Sequence, residues 1–332
     1  MATAERLDSP LPIDHRPLHL VEVDDRPPGP GEVEIDVACC AVCRTDLQIV
    51  EGDLAAPHLP LVPGHQAVGR IVRVGSGVTD RRLGQKVGVA WLAGTYGSCR
   101  FCVSGRENLC QWAVFTGLDR DGGYATRMTA RADFTFPLPD HHNDAELAPL
   151  LCGGVIGFRS LQISGIESGQ RLGLFGFGAS ALLTIQVAVY WGCEVFVATR
   201  SPAEQARARE LGAVWAGGYE HPLPSLLDAA ITFAPAGEVV VAALRSLDRG
   251  GTVAINAIHL DRVPEFDYQA LWWERQIRSV ANFTRADARQ FLALAAEIPI
   301  RTMPVAYPLA QANEALADLK AGKVGGAAVL VP

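Results

Sequence analysis

From about residue 145 onward, short apolar runs alternate with helical segments, and this alternation constrains the fold more than any other feature of the chain. Residues 171–175, 194–198, 229–233, 251–255 and 278–282 are candidate buried strands, and 180–191, 202–211, 237–247 and 287–296 between them read as helices. Such alternation predicts a parallel, doubly wound sheet. At its start, Leu172-Gly173-Leu174-Phe175-Gly176-Phe177-Gly178-Ala179-Ser180-Ala181 sets G-x-G-x-x-A between a predicted strand and a predicted helix. The first glycine permits the tight turn, and the second lets backbone approach a pyrophosphate. The small third residue lets helix and strand pack closely. Ala179 and Ser180 then open a helix whose positive dipole end faces the phosphates.

NAD-binding turns usually carry an acid about twenty residues further on, for the ribose 2′-hydroxyl. Here the second strand runs out as Val197-Ala198-Thr199-Arg200-Ser201, with no acid at its tip. A carboxylate would repel a 2′-phosphate, whereas Arg200 and the hydroxyls of Thr199 and Ser201 would bind one, so NADP(H) is favoured over NAD(H). The alternative makes Arg200 a solvated residue approaching the next helix.

The first part of the chain has a different texture. Residues 31–37, 67–74, 85–90 and 123–129 look like strands punctuated by glycine and proline, which predicts a mostly β, barrel-like unit. A helix at 308–320 and a strand at 326–331 are expected to return to it. The expected division is therefore 1–150 with 285–332, and 151–284. In 332 residues, 49% are hydrophobic and 20% charged, enough for two cores. A net charge of −7 excludes a basic nucleic-acid surface. No apolar run suits a membrane span, and residues 1–14 do not read as a signal peptide. A cytoplasmic protein is expected, whose eight cysteines suit metal binding better than a disulfide scaffold.

Cys43, His65 and Cys152 are two thiols and an imidazole far apart in sequence. Together they are the three protein ligands that leave one position of a tetrahedral zinc open, which means Lewis-acid chemistry and not a structural clamp. Each taken alone is more often a buried cysteine or a satisfied histidine.

In order, Cys43-Arg44-Thr45-Asp46, Gly64-His65, Cys99-x-x-Cys102 with Gly105-Arg106-Glu107-Asn108-Leu109-Cys110, Cys152 and the Gly176 turn cover nearly the whole chain. This set resembles the zinc-dependent medium-chain dehydrogenase/reductase family, in which alcohol dehydrogenases are the best-known members. The resemblance implies an α/β fold, a GroES-like β-rich catalytic domain plus a Rossmann domain, with coenzyme and substrate meeting in the cleft between them. It implies that Cys43, His65 and Cys152 ligate the catalytic zinc and that Thr45 offers its hydroxyl to the bound alcohol. Asp46 would fix the His65 imidazole, a role compatible with capping a helix, and Arg44 would contact the coenzyme pyrophosphate. Trp91 matches a substrate-facing segment, where its indole would narrow the site toward slender substrates; an ordinary core tryptophan is the other reading.

Three positions depart from the family. Gln66 stands where many relatives have a glutamate close to zinc. Gln48 stands where several have the histidine that ends the proton relay, and an amide cannot titrate near neutral pH. The family's second zinc has four thiolates spaced C-x₂-C-x₂-C-x₇-C, and counting back from Cys110 gives Cys102, Cys99 and then Tyr96. That lobe is expected to be metal-free or weakly occupied, with an unidentified fourth ligand as the alternative. The implied activity is reversible oxidation of a small alcohol and reduction of an aldehyde or ketone, by a homodimer or homotetramer. Two other readings are a zinc-independent reductase of C=C or C=N bonds and a non-catalytic nucleotide-binding redox sensor.

Overall fold

Two strand-rich regions, each with its own buried apolar core, account for the chain. The computed structural model describes residues 2–24, 27–257, 260 and 262–332. One unit comprises Met1–Cys152, Thr284–Ala296 and Arg301–Pro332, and the other Gly153–Phe283 and Glu297–Ile300.

The first unit is built on the strand Glu32–Ala41, which pairs antiparallel with Ala67–Val74, with Arg127–Arg131 and, at its end, with the C-terminal strand Ala327–Val331. Its core joins Ile35, Ile71, Leu47, Ile49, Tyr124 and Leu330. Pairing of Val329 with Ala41 and Leu330 with Cys40 pins the segment that leads directly into Cys43. The helix Arg44–Glu51 follows and buries Leu47, Ile49 and Val50.

In the second unit six strands lie parallel in the order Trp215–Gly217, Glu194–Ala198, Arg171–Phe175, Leu227–Thr232, Leu247–Ile255, Gln276–Ser279. By sequence this is the order 3-2-1-4-5-6 of a dinucleotide-binding sheet, reversing direction between Arg171–Phe175 and Leu227–Thr232. The helix Ala179–Tyr190 is apolar along most of its length and buries Ala181, Leu183, Ile185 and Val187. Phe175, Val240, Leu244 and Val253 belong to a second cluster there.

Several boundaries differ from expectation. Of 123–129, only the part from Arg127 is strand. Gly122 and Gly123 instead run close past the Pro63-Gly64 turn, where a Cβ on Gly122 would stand 2.0 Å from the Gly64 carbonyl oxygen. The helix expected over 237–247 ends at Arg245, and Leu247 already opens the next strand. The strand expected at 278–282 is Gln276–Ser279. The expected helix from 308 begins at Ala312, because Pro304–Pro308 is a strand. The hairpin of Ala2–Leu7 with Leu18–Val23 and the glycine-led helix Gly153–Ser164 carried no strong sequence signal. No single helix among the described residues is long and apolar enough to cross a membrane.

Candidate metal centre and coenzyme turn

The helix Arg44–Glu51 begins at a cysteine cap, and its first turn supplies the centre of the site. Asp46, three residues in, returns its Oδ2 to the Cys43 amide at 2.8 Å. Such a reciprocal bond at a helix start contributes about 1 kcal/mol. Asp46 is fully buried, yet both its oxygens are used: Oδ1 accepts from His65 Nδ1 at 2.8 Å, and Oδ2 also accepts from the Tyr124 phenol at 3.1 Å. Capping and imidazole orientation are therefore done by one carboxylate. With the proton of Nδ1 facing Asp46, the lone pair of Nε2 is left for a metal.

Tyr124 is a site residue that the sequence did not single out. Gly64 explains how it fits: its φ is +98°, a left-handed conformation, and a Cβ there would lie 2.3 Å from the Tyr124 ring. Gly64 is thus required twice over, by backbone conformation and by close approach.

Cys43, His65 and Cys152 come together, their ligand atoms all within 4.8 Å of one another. Cys43 Sγ and Cys152 Sγ are 3.9 Å apart, and His65 Nε2 is 3.4 Å from Cys152 Sγ. Around a tetrahedral zinc with usual bond lengths, two sulfurs sit about 3.8 Å apart and a sulfur and nitrogen about 3.6 Å apart. The donor set fits zinc in spacing and in softness. Hydrogen bonding with Cys152 holds the Cys43 thiol well below its ordinary value in spite of burial, with the His65 ring adding to the effect. Cys152 is pushed well above, by that same bond and then by burial. Burial opposes a charge on His65, but the Asp46 carboxylate outweighs it and raises the ring to about 10. A metal bound here would displace these protons.

Thr45 is buried, with Oγ1 3.8 Å from Cys43 Sγ. Gln48 lies one turn further along the helix and is half-buried. Gln66 is buried and its amide donates to the Ala41 carbonyl at 3.4 Å, which ties it to the strand end. Trp91 packs its indole edge-on against the His65 ring, at 5.0 Å between centroids, and stacks on Phe115 at 5.0 Å. Arg44 is exposed in the first turn of its helix, where a cation opposes the macrodipole. Helix stability is therefore no reason for an arginine at that position.

The sulfurs of Cys99, Cys102 and Cys110 also converge to within 4.8 Å. Tyr96 does not enter the core: it is 62% exposed, with its ring 5.0 Å from that of Trp112. Its backbone amide donates to Cys110 Sγ at 3.4 Å, and the Cys102 amide donates to Cys99 Sγ at 3.5 Å. Beside these thiols, Glu107 accepts from the Arg285 amide at 2.8 Å and from its guanidinium at 2.7 and 3.0 Å. Arg285 also bonds Asp133 at 3.0 Å and lies over the Phe134 ring.

In the second unit the G-x-G-x-x-A turn leaves Arg171–Phe175 at the point where strand order reverses. Gly176 has φ +89°, and a Cβ on it would lie 2.8 Å from the Ala234 amide nitrogen. Gly178 caps the helix Ala179–Tyr190, and a Cβ there would meet nothing within 4 Å, so the space over the helix start is open for a pyrophosphate. Ala181 is fully buried and Ser180 lies in the same first turn. After Glu194–Ala198, the Thr199 hydroxyl donates to the Glu204 carboxylate. Ser201 caps the helix Pro202–Glu210 by accepting from the Glu204 amide at 3.4 Å. The Thr199 proton is therefore taken, the Ser201 hydroxyl acts as an acceptor and keeps its own proton, and Arg200 between them is exposed.

Residues 29–140 match the family model "Alcohol dehydrogenase GroES-like domain". The chain is 47% identical over 337 residues to "Probable alcohol dehydrogenase AdhA" of Mycobacterium tuberculosis (strain CDC 1551 / Oshkosh), covering 99% of this chain and 97% of that protein. Among solved structures, it is similar to a cobalt- and zinc-bound thermostable alcohol dehydrogenase from Pyrobaculum aerophilum, with TM-score 0.89 and 24% identity over 100% of this chain and 99% of that one. It is also similar to CAD from Helicobacter pylori complexed with NADP(H), with TM-score 0.88 and 21% identity over 99% and 97% of the two chains. At these identities the two structures bear on the fold alone.

Proposed function

The chain belongs to the zinc-dependent alcohol dehydrogenases of the medium-chain dehydrogenase/reductase family, and we propose that Cys43, His65 and Cys152 form its catalytic zinc centre and that NADP(H) is its preferred coenzyme. It is an oxidoreductase acting on alcohols and aldehydes with zinc and a nicotinamide coenzyme. The observation that carries the proposal is the convergence of two sulfurs and a carboxylate-oriented imidazole at tetrahedral spacing. When bound, zinc supplies a Lewis acid for the substrate oxygen, and the nicotinamide supplies or takes up the hydride.

The residues of the chain do the rest. Asp46 keeps His65 in one tautomer and one orientation, so the three donors stay at their spacing without reorganising during turnover. Thr45, buried beside Cys43, would take the alcohol's proton onto its hydroxyl and pass its own outward. Gln48 cannot accept that proton near neutral pH, which leaves a ribose hydroxyl or water as the exit. Trp91, held against His65 and Phe115, would limit substrates to slender ones. Gly176, Gly178 and the helix start at Ala179–Ala181 would hold the pyrophosphate.

For coenzyme selectivity the reading rests on Arg200 and on Ser201, whose hydroxyl accepts from the Glu204 amide and keeps its own proton to donate, since the Thr199 proton goes to Glu204. Arg200→Ala is expected to raise KM for NADPH at least about tenfold while KM for NADH changes about twofold or less. Equal effects on both would remove the NADP preference. An aldehyde panel assayed with and without a chelator tests the reaction itself; chelator-insensitive enone reduction would replace it with zinc-free chemistry. We also propose a homodimer or homotetramer, supported by the strand Gln276–Ser279, which among the described residues is an edge of the second unit's sheet.

A further inference from the structure

We infer that Cys99, Cys102 and Cys110 form an open three-sulfur site that takes one soft, thiophilic ion of the copper(I) class in three-coordination, in place of a closed four-thiolate zinc. The three sulfurs converge to within 4.8 Å, and among the described residues no fourth Cys, His, Asp or Glu joins that group. The position from which a fourth thiolate would come is Tyr96, whose ring turns onto Trp112 at the surface. What Tyr96 contributes is its backbone amide, aimed at Cys110 Sγ, while the Cys102 amide is aimed at Cys99 Sγ. Amides pointing at sulfur favour thiolates, the form in which cysteine binds metals.

Structural zinc strongly prefers a closed tetrahedral site and loses one of four ligands here. A monovalent soft ion satisfied by three sulfurs loses none, and thiolates are the ligands that select it. Three thiol protons leave to solvent on binding, and copper stays in its +1 state. Positive charge lies close by, because Arg100 and Arg106 sit over the Phe101 ring at 4.5 and 5.5 Å. The lobe also has a fastening that requires no metal: Glu107, nearly buried, is gripped by Arg285 through backbone and guanidinium. The three sulfurs are therefore held together before any ion arrives, and the ion can load and leave without unfolding the lobe.

The test is an anaerobic titration of the full-length, zinc-loaded protein with copper(I) delivered from bicinchoninate. One copper per chain is expected to be withdrawn from the chelator with catalytic zinc content unchanged. Cys99→Ser, Cys102→Ser and Cys110→Ser should each weaken uptake at least tenfold, and Cys193→Ser should leave it unaltered. In the natural chain, copper should also protect Cys99, Cys102 and Cys110 from alkylation, a mass-spectrometric measurement that holds even if a serine variant misfolds. Uptake no greater than in the triple serine variant, alkylation of the three thiols unaffected by copper, or a second zinc per chain that survives dialysis against EDTA would each overturn the inference.

Discussion

The two oxygens of Asp46 have separate partners: Oδ1 holds His65, and Oδ2 takes the Cys43 amide and the Tyr124 phenol. Asp46→Asn keeps the shape but puts an NH₂ where a donor already points, so at least one of those three bonds is lost. Zinc retention against a chelator and kcat/KM should both fall by about 10- to 100-fold, as for other carboxylates behind a histidine ligand; unchanged retention would show that Asp46 serves only the helix. A second residue-scale effect lies at Glu5, buried in Ala2–Leu7 with Oε2 lacking a partner among the described residues. Burial, and then Glu314, raise its carboxyl from 4.5 to about 7. Between those values the folded chain holds a proton that the unfolded chain has released, so this group's contribution falls as pH rises from about 4.5 to about 7. Glu5→Gln should therefore gain on the order of 1 kcal/mol over the natural chain at pH 8 and nothing at pH 4, measured by urea unfolding; a gain independent of pH would assign it to packing. The convergence of Cys43, His65 and Cys152 was legible from the ordered set of motifs in which they stand. Tyr124 was not, since its phenol reaches Asp46 only through the turn that Gly64 and Gly123 permit. A hydroxyl suits a phosphate and a helix start equally well, so sequence alone does not show that the Thr199 proton goes to Glu204.

At the scale of elements, the strands Arg171–Phe175 and Glu194–Ala198, buried beyond their first residues, were legible to the residue, as short apolar runs between turn signals. Short or edge strands were not: Trp215–Gly217 has three residues, and Pro304–Pro308 is bracketed by prolines that argue against a strand. Where Arg245 ends a helix and Leu247 starts a strand, no glycine or proline marks the change. The strand Gln276–Ser279 ends one side of the parallel sheet, mostly exposed and, among the described residues, paired only with Leu247–Ile255. An edge of this kind leaves amides and carbonyls unpaired, which a second copy can satisfy. Sedimentation analysis should accordingly find a dimer or tetramer at micromolar concentration, and a monomer there would contradict the proposed assembly.

Across the whole molecule, the division of labour follows from how each unit is built. A β-rich unit with tight glycine turns can bring Cys43, His65 and Cys152 together from three distant segments, because each is fixed where a strand or helix begins or ends. A parallel sheet provides the open turn at Gly176–Gly178, at whose helix start a pyrophosphate is proposed to bind. Alternating strands and helices announced the second arrangement in the sequence, whereas the first is visible there only as scattered soft ligands. The central claim is the zinc centre, and anomalous diffraction at the zinc edge from crystals of the purified protein tests it most directly. A peak lying among Cys43 Sγ, His65 Nε2 and Cys152 Sγ is the result expected. A fully active protein with no anomalous peak at those three atoms would contradict it.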